Sequence, residues 1–430
     1  MHSTLSVYST LYLLMKNFIT GHNAILTPAI LSVLIFGFSG STGRKPKILN
    51  FQVRTESVHQ ELSSKFCWFH PRAAAIPGYG DNGMPAVIMT IQKHLVVSDF
   101  YSGLYYMRTN DLGKSWTEPD EIPELSWQFE DDGTTVSVAD VTPGWHEPTG
   151  KLIAIGIKVR YSKAGKQLLD KPRSHDAAYA VFDPETNKWT AWKMVSNVPD
   201  PDTKFYLVNP GCVQWIVRPD GNILLPVYFS PPGAGESSVT VFECSFDGNT
   251  LTYLRHGDEM TVKGGRGLGE PSMVKYKGIY YLTMRNDLKG YVTTSKDAFK
   301  WKPFIPWTFD DGQDLGSYNT QAHWLVHNDG LFLTYTRRGA GNDHIARNRA
   351  PLFMAQVDPM NLNVIRSTEQ ELMPERGVML GNFGASAITK DESWVTDAEF
   401  MVGDKPHPRG ADGTVWTARV IWSKKNKLLR

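Results

Sequence analysis

The sequence predicts an all-β protein folded as a β-propeller, with six blades by the count of its repeats and seven as the alternative count. Three observations carry this. Strand formers and turn formers are abundant together, with 13 Trp, 17 Tyr and 20 Phe beside 37 Gly and 26 Pro. Apolar segments of strand length recur in a fixed order, and no long segment with apolar residues at helical spacing competes with them.

The first unit runs through Phe66 to Pro77, Ala86 to Gln92 and Gly103 to Thr109, and closes on the turn Thr109 to Trp116. Further units begin near Thr134, Gly211, Glu270, Tyr318 and Asn382, at spacings of about 48 to 77 residues. This suits a four-stranded sheet with variable loops. Stacked radially, each blade covers the edge of the next. The segment Lys47 to Val53 is expected to supply the strand that closes the ring with the last blade. A pair of unrelated β-sandwiches is the competing architecture, but no Ser/Gly-rich linker separates two halves.

Ahead of the repeats, Ala24 to Gly40 is an apolar run that follows Lys16 and ends in small residues before Arg44, Lys45 and Lys47. That order predicts a secretory signal peptide over residues 1–41, with Met15 as an alternative start, and one propeller domain over 42–430. A single membrane anchor is the alternative, weakened by Thr27 and Pro28. The expected location is secreted or periplasmic, with no membrane contact beyond the leader. Forty-five Lys plus Arg against 44 Asp plus Glu leave a net charge of +1. Nonspecific nucleic-acid binding is therefore not expected, and an acidic ligand must be met by a few placed cations. Cys67, Cys212 and Cys244 lack metal-ligand spacing and read as buried apolar side chains, with a Cys212–Cys244 pair as the alternative. No cofactor is expected; scattered oxygen ligands for a structural calcium would leave no linear signature.

The turn Thr109-Asn110-Asp111-Leu112-Gly113-Lys114-Ser115-Trp116 resembles the Asp-box of sialidase (BNR) propellers, and Thr294 to Trp301 is a copy without the Gly. Asp111 can accept the turn's own N–H groups and Gly113 allows positive φ, so the motif speaks for fold and not for reaction. The resemblance extends to the blade order of nearly the whole chain past the leader. It implies three arginines for a substrate carboxylate. Arg72 lies in His70-Pro71-Arg72-Ala73-Ala74-Ala75-Ile76-Pro77, similar to the family's Arg-Ile-Pro but with three alanines inserted; Arg285 follows Glu270-Pro271-Ser272; Arg349 comes third, with Arg337 and Arg338 as competitors. It also implies Asp99 as acid/base. The family's Tyr nucleophile has no counterpart, because Gly381-Asn382-Phe383-Gly384 stands at its expected place.

Clustered arginines at inner-strand starts favour a planar anion such as a sugar carboxylate. A more distant resemblance, to propellers that act on rhamnose-capped glucuronate, rests on an early His. His70 or His323 would then take the C5 proton of a uronate in an elimination, which needs no Tyr. The expectation is a monomeric carbohydrate-active enzyme that removes a terminal sugar from an acidic oligosaccharide or polysaccharide, with Asp99 and Glu270 as acid/base groups. A uronate lyase and a glycan-binding propeller without activity are the alternatives.

Overall fold

The computed structural model describes residues 46–96, 99–168 and 176–429; the leader expected over residues 1–41 lies outside them. Six antiparallel sheets follow one another along the chain. Their innermost strands are Phe66–Ile76, Thr135–His146, Leu207–Asn209, Gly269–Tyr276, His323–His327 and Gly384–Ala387. The unit starts read from the sequence fall at or close to these strands. Among the described residues no helix is long and apolar enough to cross a membrane.

The ring closes as expected, though a few residues later in the chain. Phe51–Gln60 pairs antiparallel with Thr414–Trp422 and becomes the outer strand of blade six, so one sheet holds both ends of the propeller. Phe51 packs edge-on against Phe332 at 5.5 Å and Trp422 at 6.0 Å, which ties the closing strand to blade five as well.

Burial is organised as wedges between neighbouring blades. One wedge joins Ile153, Ile155 and Tyr179 of blade two to Leu225, Val227 and Phe242 of blade three. Another joins Tyr281 and Val292 of blade four to Trp324, Leu333 and Tyr335 of blade five. Each sheet is thus apolar on both faces, and the strands read as nearly unbroken apolar runs instead of alternating ones.

Between the third and fourth strands, blades one to five carry the same device at the rim. Asp111 accepts from Ser115 N at 3.0 Å, Asp183 from Glu185 N at 3.0 Å and Asp247 from Asn249 N and Thr250 N at 2.8 and 2.7 Å. Asp297 accepts from Phe299 N and Lys300 N, both at 2.8 Å, and Asp358 from Met360 N at 2.8 Å. Gly113 (φ 81°) and Gly248 (φ 98°) take the left-handed corner in two of these turns, where a side chain would strain the backbone.

Candidate active site on the propeller axis

Where the inner strands reach the axis, they break register. Bulges lie between Phe69 and Arg72, between Ala139 and Thr142, and between Gly269 and Ser272. The first residue inside each takes a left-handed conformation: His70 at φ 55°, Asp140 at 57° and Glu270 at 41°. Cys212, at φ 58°, holds the matching place in blade three, two residues before Gln214, which bridges to Ser272. Bulges re-aim side chains, and non-glycine residues at positive φ persist only where surrounding structure holds them. Here four blades use the device to send a polar side chain toward one point.

The result is a polar ring that touches every blade. Arg285 Nη1 is bonded to Glu270 Oε1, and Arg285 Nη2 donates to Asn319 Oδ1 at 2.7 Å. Arg349 Nη2 donates to the Asn319 carbonyl at 2.8 Å and its Nη1 to Asn382 Oδ1 at 3.1 Å. Asn382 Nδ2 lies 3.0 Å from His70 Nε2, which lies 3.0 Å from Asp140 Oδ1. Cys212 Sγ donates to the same Asp140 oxygen at 3.1 Å, and Arg72 Nη2 stands 3.0 Å from that sulfur.

The arginines expected to act together divide into three roles. Arg72 is 1% exposed, and its donors reach Val141 O at 3.2 Å, Asn382 O at 3.2 Å and Phe383 O at 3.4 Å. It staples blades two, three and six beneath the ring, and Gly384 is needed because a Cβ there would stand 2.7 Å from Arg72 Cγ. Arg337 is bound in bidentate fashion to Glu369, at 2.9 and 2.7 Å, and shares no contact with the ring. Arg338 lies over the Tyr318 ring at 3.5 Å. Arg285 and Arg349 stand in the ring itself.

Arg349 is the unusual one. It is buried, no carboxylate lies within ion-pair distance among the described residues, and its Nε has no hydrogen-bond partner. Burial and the neighbouring Arg285 push its pKa down to about 10. A guanidinium held so is short of an anion.

The acid and base candidates are also sorted by the fold. Glu270 is in the ring, and its Oε2 is buried without a partner. Asp99 is exposed and approaches the ring through Tyr101, whose Oη donates to Asp99 Oδ1 at 3.4 Å and whose ring lies 5.1 Å from the His70 imidazole. Burial, then Arg72, holds His70 well below the usual imidazole range, so it is neutral; burial pushes Asp140 up. His323 lies deeper, bonded through Nδ1 to Ser272 Oγ at 2.8 Å and packed edge-on against Phe383.

Several residues of the ring were not singled out by the sequence, namely Asp140, Cys212 as a site residue, Asn319 and Asn382 as a ligand-facing amide, and neither was Tyr228 beside it. The Tyr228 phenol accepts from the Asn209 amide, and burial followed by the charge of Glu270 raises its pKa. Cys67, Cys212 and Cys244 are all free thiols, so the alternative Cys212–Cys244 pair is not formed.

Neither a family model nor a curated protein matches this sequence. Solved structures do match. An unknown-function protein from Dyadobacter fermentans is similar over 86% of this chain and 99% of its own, at TM-score 0.61 and 14% identity. The Trypanosoma rangeli sialidase bound to the inhibitor DANA matches over 85% of this chain at TM-score 0.56 and 12% identity. The Hadza microbial sialidase Hz136 matches over 85% at TM-score 0.56 and 14% identity. The fold is the sialidase-type propeller. The chain spans 59% of the Trypanosoma sialidase and 66% of the Hadza one, so the likeness is to part of each of those longer chains. At these identities the sialidase-type propeller is shared as architecture, and the chemistry has to be argued from the ring.

Proposed function

We propose that this propeller removes a terminal sugar from a carboxylate-bearing glycan at the axial ring. The observation that carries the proposal is Arg349, a buried cation without a carboxylate partner beside an already paired Arg285. A sugar carboxylate docked on Arg349 would supply the missing charge in a bidentate geometry, in a place where charge-assisted bonds are worth roughly 1.5–3 kcal/mol each.

The phenol that the last blade lacks is offered by blade three. Tyr228 stands by Glu270, whose Oε2 is free to accept the phenol proton while Oε1 stays with Arg285. The phenolate would bond to the anomeric carbon as the bond to the leaving oxygen breaks, with the exposed Asp99 protonating that oxygen. Water then attacks the anomeric carbon and gives its proton to the Asp99 carboxylate, while the bond to Tyr228 breaks and Glu270 returns the phenol proton. A second reading is favoured by the neutral His70 imidazole with an unpartnered Nδ1. It would take the C5 proton of a uronate while the arginine-bound carboxylate acidifies that carbon, giving an unsaturated sugar and a free alcohol.

The test is to incubate the protein with a sialoside panel and with rhamnose- or uronate-capped arabinogalactan. Released sugar is followed by chromatography and unsaturated uronate by ultraviolet absorbance. Free sugar lost in Tyr228→Phe supports hydrolysis, and absorbance gain lost in His70→Gln supports elimination. Retention of the glycan without product leaves a binding protein. No retention of any acidic glycan, or retention unchanged in Arg349→Met, overturns the carboxylate site.

A further inference from the structure

We infer that His70, Asp140 and Cys212 form a binding site for one thiophilic divalent cation, of the zinc class, at the propeller axis. Their donor atoms Nε2, Oδ1 and Sγ all lie within 4.8 Å of one another, with 3.0 Å from imidazole to carboxylate and 3.1 Å from carboxylate to thiol. They come from three blades, and each is a left-handed residue in or just after its inner strand, so three costly backbone corners deliver three ligands to one point. One nitrogen, one oxygen and one sulfur is a donor set suited to zinc, and three protein ligands with a fourth position for water or substrate is the form of a reactive zinc site.

The hydrogen count at His70 Nε2 points the same way. To bond Asp140 Oδ1 this nitrogen must carry a proton, and to accept from Asn382 Nδ2 it must not. The Nδ1 tautomer leaves Nε2 and the carboxylate facing each other as two acceptors, which is the arrangement a cation between them satisfies. Zinc–ligand bonds of about 2.0–2.3 Å set tetrahedral ligand atoms ~3.3–3.7 Å apart. The imidazole–carboxylate and carboxylate–thiol spacings need to open by only a few tenths of an ångström, and the imidazole nitrogen and the thiol lie within 4.8 Å of each other. Cys212 would lose its proton on binding, and Arg72 Nη2, 3.0 Å from Sγ, donates to the thiolate as the outer-shell bond such ligands use. Glu270, whose charge bears on both Asp140 and Cys212, is the neighbouring oxygen donor.

The inference stands on this geometry and is read without substrate, so it can fail while the glycan site survives, and the reverse. It excludes the elimination route through His70, because a neutral imidazole that binds the cation through Nε2 carries its proton on Nδ1 and has no lone pair left for the substrate proton. The experiment strips the purified full chain with a chelator, dialyses it, and titrates it with Co²⁺ followed by Zn²⁺ competition. The expected result is one Co²⁺ per chain, a thiolate-to-cobalt charge-transfer band in the near ultraviolet, and displacement by one equivalent of Zn²⁺. Cys212→Ser should abolish the band and weaken binding on the order of 100-fold or more, while Cys67→Ser, buried away from the ring, should leave both unchanged. A wild-type chain that binds less than a tenth of an equivalent, or one whose band survives Cys212→Ser, overturns the site. The wild-type titration alone decides the matter if the variant fails to fold.

Discussion

The rim and the axis of this propeller use the same backbone conformation for opposite ends. At the rim, left-handed corners fall at Leu112, Gly113, Asn187, Gly248, Ala298 and Leu362, and in each of these turns an aspartate accepts the turn's own N–H groups, so the strain is relieved locally. On the axis the left-handed residues are His70, Asp140, Cys212 and Glu270, and none is relieved by its own turn. Their support comes from beyond their own corners: Asn382 and Arg72 reach His70 and Cys212 from other blades, and Arg285 reaches Glu270 from the neighbouring strand of the same blade. A turn that closes on itself can be repeated five times without consequence. A corner that depends on its neighbours makes six blades into one site.

The sharpest way to break this comparison is Arg72. As the staple under the ring it satisfies three carbonyls from other blades, and each buried acceptor left bare costs about 1–3 kcal/mol. Arg72→Met is expected to lower unfolding stability by several kcal/mol in a urea titration, or to prevent folding. A variant that folds with less than ~1 kcal/mol lost would return Arg72 to the role of a ligand-facing cation. Arg349→Met should behave in the opposite way. Replacing a poorly compensated buried charge with an apolar chain of similar volume is close to neutral, within ~2 kcal/mol. Binding of an acidic glycan, measured by calorimetry, should nevertheless fall at least ~100-fold, the loss of about 2.7 kcal/mol of interaction.

The same contrast explains what the sequence made legible. Apolar runs, Gly turns and the Asp-Gly-Trp signature around Asp111 are local, and they located the blades and the closing strand. Glu270 and Arg285 were found because a Pro-Ser follows the acid and an arginine ends the next strand. Asp140 was not, because it sits in Val138-Ala139-Asp140-Val141, a plain apolar strand until the register shift turns it to the axis. Asn382 read as the start of the last unit and as the absence of a tyrosine, not as a ligand-facing amide. Tyr228 comes from the second strand of blade three, where the family resemblance gave no reason to look. Arg337 shows the converse. It has a fitting residue type near the expected place, yet Glu369 and the faces of Phe309 and Phe353 hold it elsewhere.

A smaller effect tests the electrostatics under the ring. Asp397 is buried in the middle strand of blade six, accepts from Ala398 N at 2.8 Å, and has a bare Oδ2; burial pushes its pKa up to about 7. The folded state therefore holds a proton that the unfolded chain releases near pH 4. Its contribution is complete below that pH and is lost as pH rises through about 7. The neutral His70 and His323 act in the other sense, because the unfolded chain binds protons below about pH 6.5 that the fold refuses. The difference between wild type and Asp397→Asn isolates the first term. The asparagine variant should be relatively more stable at pH 7 than at pH 4, and a difference independent of pH would mean that Asp397 is already ionised in the fold.

The smallest expected change is at the rim. Asp111 is held below the usual carboxylate range, to about 2, by bonds from Ser115 and Thr109, and all of these partners lie within one turn. Asp111→Ala should lower the melting temperature by a few degrees and leave glycan binding, metal binding and turnover unchanged, because no ring residue depends on that turn. Part of the loss should vanish below pH 2, where the wild-type carboxylate is itself protonated and the two proteins become alike. If turnover fell with the melting temperature, strain at the rim would be reaching the axis through Trp116 and Trp394, whose rings lie 5.8 Å apart between blades one and six. The independence of the two regions would then be wrong, and the left-handed corners at both ends would have to be treated as one coupled system.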